Sequence, residues 1–107
     1  MRIEFSTEGG IAFLPGLARP VTIDTDSLAP EQARRLTELV EAADFFARPA
    51  QVGQPPPGAA DMQRHIVAIQ DGARRHRVAV AEPIEDPALA ALMAALRPLV
   101  DAARRAR

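Results

Sequence analysis

Two histidines, His65 and His76, are the residues of this chain best suited to acid–base or metal chemistry. An imidazole titrates near neutral pH and is a common metal ligand. Each lies in an alternating segment, so both are expected on one face of two paired strands. A turn at Asp71-Gly72 would make them diagonal neighbours, about 7–8 Å apart. No third ligand is placed for a shared metal, and we interpret both histidines as structural.

The carboxylates of the chain also have structural explanations. Those of the first predicted helix follow its exposed face, and the others flank strand ends or a helix start, where they cap backbone N–H groups. The chain has no cysteine, which removes thiolate nucleophiles, disulfides and cysteine-bound metals. It contains no phosphate-binding glycine loop, zinc-protease motif or serine-hydrolase motif. The sequence therefore predicts a protein that is not an enzyme and uses no cofactor.

An apolar segment between glycines, residues 9–16, is the most informative feature of the sequence. Turns that only connect strands are short and polar, whereas this segment carries Ile11, Phe13 and Leu14. Pro15 stiffens it by fixing one backbone angle. Such side chains either pack under a helix of the same molecule or enter the pocket of a partner. The residues alone leave both destinations open.

Composition and charge argue against several classes of partner. The 107 residues are 48% hydrophobic and 25% charged, with a formal net charge of −1, as is typical of a globular domain. Binders of nucleic acid or anionic membranes usually carry a basic excess, so neither partner is expected. Four arginines near the second predicted hairpin, interpreted as a solvated face, are Arg64, Arg74, Arg75 and Arg77. The N-terminus has no apolar stretch of signal-peptide length, and we expect a cytoplasmic monomer.

The first half of the chain predicts two strands and a helix. Alternating side chains indicate strands around Ile3–Phe5 and Val21–Ile23. Pro30 suits the first turn of a helix, which apolar residues at helical spacing continue. These residues are Ala33, Leu36, Leu39, Val40 and Ala43. Phe45 and Phe46 follow, and we expect them to anchor the end of the helix in the core.

The second half repeats this order after a proline-rich connector, residues 53–60, which is expected to be extended and stiff. Alternation over Gln63–Gln70, and again from His76 to Val80, predicts a hairpin that turns at Asp71-Gly72. The two hairpins can join side by side in a single antiparallel sheet.

A second helix is predicted to begin with Asp86 as N-cap and Pro87 as its first residue. Its buried stripe is Leu89, Leu92, Met93, Leu96 and Val100, and Pro98 is expected to kink or divide it. The predicted fold class is α+β: a two-layer sandwich in the order ββαββα. A four-stranded antiparallel sheet carries two helices on one face, and residues 1–107 form a single domain.

A succession of short motifs places the chain beside a known family. In the first half these are Met1–Phe5 with Gly9-Gly10, Pro15–Pro20, Ile23–Thr25 and Leu39–Phe46. In the second half they are Gly58–Asp61, Asp71-Gly72 with Arg75-His76, and Asp86–Leu89. In this order, over nearly the whole chain, they resemble the emfourin-type protealysin inhibitors. The chain departs from that pattern at His65, where the family would have an aromatic residue, usually tyrosine.

The resemblance implies a proteinaceous inhibitor of thermolysin-like zinc metallopeptidases, with no cofactor and no reaction of its own. Such enzymes cleave before bulky apolar side chains, so the apolar segment could fill that pocket and block the active-site cleft. The candidate target-binding residues are Gly10, Ile11, Ala12, Phe13, Leu14, Pro15 and Gly16. Because proline removes an N–H that an extended substrate uses, we expect binding without cleavage, with Phe13 and Leu14 as anchors.

Other functions also fit the residues. The main alternative is a non-catalytic interaction or regulatory module that binds a non-protease partner through the same segment or a sheet edge. Histidine-dependent catalysis is a weaker one. For an inhibitor, the second hairpin turn competes with the apolar segment as the main contact surface. Selective loss of metallopeptidase activity at a near-stoichiometric ratio would distinguish the inhibitor from the interaction module.

Overall fold

A computed structural model describes residues 1–8, 19–53 and 64–106. In chain order, the strands and helices of these residues are β1 (Arg2–Glu8), β2 (Val21–Asp24), α1 (Pro30–Ala42), β3 (Gln51–Val52), β4 (Arg64–Asp71), β5 (Arg74–Ala81) and α2 (Pro87–Arg105). Short 3-10 helices at Thr25–Ser27 and Phe45–Ala47 follow β2 and α1. The apolar segment and most of the predicted proline-rich connector lie outside the described residues.

The described strands form one mixed sheet in the order β2-β1-β4-β5-β3. The α+β class, the helices and four of the strands agree with the sequence, but the purely antiparallel four-stranded sheet was wrong. The fifth strand, β3, pairs with β5 in parallel, with Gln51 opposite Ala79. The backbone N–H of Ala79 also donates to the carbonyl of Ala50 (2.7 Å). Two residues are too few to show alternation, which is why the sequence did not reveal this strand.

The second hairpin turns one residue later than predicted. Asp71 pairs with Arg74, so the turn residues are Gly72, whose φ is +63°, and Ala73. This register sets His65 opposite Val80 rather than near His76. The two histidines share a face, as expected, but they lie four positions apart along the strands, roughly 13 Å. The predicted diagonal contact between them was therefore wrong.

Both helices cover one face of the sheet, where the core lies. The buried sheet residues are Ile3, Phe5, Val21, Ile23, Val67, Ile69, Val78 and Val80. Helix α1 contributes Leu36 and Val40, and α2 contributes the whole predicted stripe. The opposite face exposes polar side chains, among them Arg75 and Arg77 as predicted, and also carries the buried Ile66.

Helix α2 continues through Pro98 to Arg105, so Pro98 does not divide it; the other predicted outcome, a kink, stays a prediction. Pro98 and Ala94, whose carbonyl would accept the missing hydrogen bond, are both exposed. Water can bond that carbonyl, which lowers the cost of proline inside the helix. The start of the helix is as predicted, because the Asp86 Oδ1 accepts from the N–H groups of Ala88 (2.9 Å) and Leu89 (3.1 Å). Neither described helix is long and apolar enough to cross a membrane.

Candidate functional site

The two segments outside the described residues that connect strands, 9–18 and 54–63, attach at one end of the sheet. Glu8, the last residue of β1, pairs with Arg64, the first of β4, and Arg64 pairs in turn with Ala81, the last of β5. Gly53, the last described residue before 54–63, lies against Ala81. We call this the loop end. Residues 9–18 follow Glu8 directly, so the apolar segment begins here.

The turn of the second hairpin lies at the other end of the sheet, which we call the hairpin end. It is defined by the pair Asp71 and Arg74 and by Gly72 and Ala73 between them. The length of β4 separates the two ends, about 23 Å. The two contact surfaces that the sequence left open are therefore far apart, and only one of them can be the centre of a single interface.

The predicted target-binding residues Gly10, Ile11, Ala12, Phe13, Leu14, Pro15 and Gly16 lie outside the described residues. Their role stays a prediction, but the stem that carries them is described. Strand β2 pairs with β1 only as far as Val21 opposite Phe5. From Ser6 to Glu8, β1 has β4 as its one described strand partner. The apolar segment thus leaves from a strand that the described sheet holds on one side.

A partly buried polar cluster, Thr7–His65–Glu82, lies beside this stem. His65 is 4% exposed and Thr7 is 9% exposed. The imidazole Nδ1 is 3.3 Å from Thr7 Oγ1, and its Nε2 is 2.5 Å from Glu82 Oε1. The ring stacks on Phe5 with 5.7 Å between centroids. The sequence marked His65 as structural but gave no sign of these partners, because they lie 58 and 17 residues away.

The order hydroxyl, imidazole, carboxylate resembles that of hydrolase triads, but the surroundings argue against catalysis. Thr7 lies inside a paired strand and is largely buried, so its hydroxyl is poorly accessible to a substrate. Within residues 1–8, 19–53 and 64–106, no three His, Cys, Asp or Glu side chains come together to hold a metal ion. The cluster joins the ends of β1 and β4 to the segment after β5.

His76 has different surroundings towards the hairpin end. Its Nε2 lies 2.6 Å from the backbone carbonyl of Arg48, and its ring meets Phe45 edge to face. The Phe45 ring is 1% exposed and also contacts Phe46 edge to face. The prediction that these two phenylalanines anchor the end of α1 is confirmed for Phe45, while Phe46 is partly buried. Arg74 lies over the Phe46 ring, 4.3 Å from its centroid.

The start of α2 is joined to this region by Arg48. Its Nε donates to the carbonyl of Ala43 (2.6 Å), and its Nη2 donates to Asp86 Oδ2 (3.0 Å). Hydrogen bonds from the backbone N–H of Leu89 and from Arg48 hold the pKa of Asp86 below its usual range. Asp86 therefore stays charged and caps the helix at neutral pH.

The described residues define a small two-layer α+β domain, in which the segments 9–18 and 54–63 both attach at the loop end of the sheet. Comparison with known proteins gives the family. The Emfourin profile matches residues 5–97, and the chain belongs to that family. The resemblance found in the sequence is thereby confirmed.

One solved structure is of a relative of this chain. It is emfourin (M4in) from Serratia proteamaculans, an M4 family peptidase inhibitor, and it is 32% identical to this chain. The match covers 85% of this chain and 83% of the relative, with a TM-score of 0.42. No curated protein matches the chain significantly. Membership of a family of peptidase inhibitors confirms that the protein is not an enzyme.

Proposed function

We propose that this protein inhibits thermolysin-like zinc metallopeptidases by blocking the active-site cleft with residues 10–16. The observation that carries the proposal is membership of the Emfourin family, together with a relative described as an M4 family peptidase inhibitor. The sequence of the segment supplies the mechanism, because Ile11, Phe13 and Leu14 are the large apolar groups that such a cleft accepts. Pro15 makes the segment a poor substrate.

The loop end, rather than the hairpin end, makes the main contact in this proposal. The turn at the hairpin end consists of Gly72 and Ala73, which offer no large apolar side chain. Its neighbours Asp71 and Arg74 are already paired with each other at 2.9 Å. An apolar pocket would gain little from such a turn, whereas it would bury Phe13 and Leu14 well.

Inhibition would occur by occlusion of the cleft and not by removal of the zinc ion. Zinc is held by thiolate, imidazole or carboxylate groups, and the segment Gly10–Gly16 contains none of them. Phe13 and Leu14 act as anchors, each worth about 2 kcal/mol of binding free energy. Pro15 lowers the entropy cost of ordering the segment on binding. The enzyme therefore keeps its metal in the complex.

The test is a titration of a thermolysin-like peptidase with the full chain, with an unrelated serine protease as the specificity control. We expect loss of metallopeptidase activity near a one-to-one ratio and no effect on the serine protease. The double substitution Phe13→Ala, Leu14→Ala should raise the inhibition constant by at least about a hundredfold. The zinc content of the inhibited enzyme should not change.

Ala73→Glu is the matched control, since it places a charge in the turn at the hairpin end without disturbing Gly72. It should leave inhibition unchanged. Strong inhibition by the folded Phe13→Ala, Leu14→Ala variant, with loss of inhibition by Ala73→Glu, would move the contact to the hairpin end. Cleavage of the wild-type chain as an ordinary substrate, with no inhibition, would favour a module with a non-protease partner. Action as a cytoplasmic monomer, without nucleic acid or membrane, is part of the same proposal.

A further inference from the structure

The Thr7–His65–Glu82 cluster lies one residue before the apolar segment. Thr7 is the register partner of His65, and only Glu8 separates Thr7 from residue 9. Glu82 directly follows the last residue of β5. The cluster therefore joins three strand ends at the place where the proposed inhibitory segment leaves the sheet.

The cluster gives each ring nitrogen of His65 a polar partner. An ionised carboxylate only accepts hydrogen bonds, so the Nε2 that faces Glu82 Oε1 carries the proton and donates it. The other ring nitrogen, Nδ1, lies 3.3 Å from the Thr7 hydroxyl, which can donate or accept a hydrogen bond. Both ring nitrogens are used, and stacking on Phe5 fixes the plane of the ring. His65 thus holds Thr7 in one direction only.

The backbone around Thr7 needs such a contact more than the rest of β1 does. Up to Phe5 the strand lies between β2 and β4, but the described pairing with β2 stops there. A strand held on one side twists and frays more easily than one held on both. A side-chain contact to β4 and to the segment after β5 compensates for the missing neighbour.

We propose that His65 is a positioning residue for inhibition: through Thr7 and Glu82 it fixes the direction in which residues 9–18 leave β1. This inference rests on the proposed inhibition by the apolar segment. A stem held in one direction reduces the number of conformations that the segment loses on binding, and affinity rises with such preorganisation. The role of His65 is exerted through the segment, without contact to the zinc ion.

The substitution His65→Phe tests this role, because it keeps a ring to stack on Phe5 and removes both hydrogen bonds. We expect the inhibition constant to rise about tenfold, a change that matches the ordering cost of one or two side chains. His65→Gln keeps an N–H donor for Glu82 and should recover part of the loss. Amide hydrogen exchange at Thr7 and Glu8 should become faster in His65→Phe and stay slow at Arg74.

His76→Phe is the matched control. It removes a histidine hydrogen bond on the same face of the sheet, about 13 Å away along the strands. Its thermal unfolding should shift by a similar amount, but its inhibition constant should equal that of the wild type. Equal weakening of inhibition by the two substitutions would show a general loss of stability and would overturn the positioning role.

A double-mutant cycle separates this inference from the proposed function. In the Phe13→Ala, Leu14→Ala background, His65→Phe should have almost no further effect, since the segment that it positions no longer anchors. The same tenfold loss in both backgrounds would overturn the positioning role and leave the apolar segment as the inhibitory element. Full inhibition by Phe13→Ala, Leu14→Ala alone would reject the segment itself, and the positioning role with it.

Discussion

The two histidines share one face of the sheet, yet the regions around them are built differently. His76 bonds to a backbone carbonyl, and its ring packs edge to face on Phe45 in the core. His65 bonds to two side chains beside a strand that the described sheet holds on one side. The first arrangement fixes the scaffold itself. In our proposal the second fixes the direction in which the apolar segment leaves the sheet, so we expect binding to depend on the loop end more than on the hairpin end.

The largest expected effect is on stability, from Phe45→Ala in the region of His76. The ring is 1% exposed, and removal of a buried aromatic side chain costs about 3–4 kcal/mol of the free energy of unfolding. Urea denaturation measures this loss. The inhibition constant, measured where the variant is still folded, should equal that of the wild type. A large rise in that constant would show that the two ends are not independent.

Pro15→Ala should have the opposite profile, with no change in the free energy of unfolding. The replacement returns one backbone N–H and adds conformational freedom, so initial inhibition should weaken by about fivefold or less. The larger expected change is in the resistance of the chain to cleavage, because without proline the segment can adopt the extended conformation of a substrate. Mass spectrometry should find cleavage beside Leu14 after long incubation. An intact chain would mean that proline is not what prevents cleavage.

A smaller effect is expected in acid, and it should again concern stability alone. The pKa of Asp86 lies below its usual value, so the fold favours the charged carboxylate. This stabilisation is complete above the ordinary aspartate pKa of about 3.9 and is lost as the pH falls through the lowered pKa. Melting temperatures at decreasing pH should show wild type and Asp86→Asn converging in strong acid. Parallel curves would contradict the assignment.

The smallest effect is expected from Arg74→Met at the hairpin end. Arg74 pairs with Asp71 (2.9 Å) and Glu41 (3.4 Å) and lies over the Phe46 ring. Hydrogen bonds to Asp71 and Glu41 raise the pKa of the guanidinium. All three side chains are exposed, so the contribution of these ion pairs is screened by water and salt. A slight fall in melting temperature, smaller at high salt, is expected, with inhibition unchanged. A loss of inhibition would return the hairpin end to the interface.

The sequence predicted the features that depend on neighbouring residues. The N-cap Asp86, the stripe of α2 and the anchor Phe45 were all visible as local patterns. The register of the second hairpin was missed because a glycine after aspartate can be either the second or the first residue of a two-residue turn. In the structure Gly72 is the first residue of the turn. Every residue of β4 therefore pairs with a different residue of β5 than predicted.

The site was harder to predict than the fold. The apolar segment was visible as a sequence anomaly, and its role stays a prediction. The contacts of His65 were not visible, because the cluster forms only when distant strand ends meet. Pairing β1 with β4 brings Thr7 to His65, and the course of the chain after β5 brings Glu82. Contacts between residues that are distant in the sequence leave no repeating pattern in it, so their prediction requires the order of the strands in the sheet.

The inner strands of the described sheet are longer than the outer ones. The inner strands β1, β4 and β5 have 7, 8 and 8 residues, whereas the outer strands β2 and β3 have 4 and 2. Short edge strands offer few backbone donors and acceptors with which another polypeptide could pair. Extended peptide fragments accumulate around an active protease. Short edge strands should keep such fragments from pairing with the sheet of this protein.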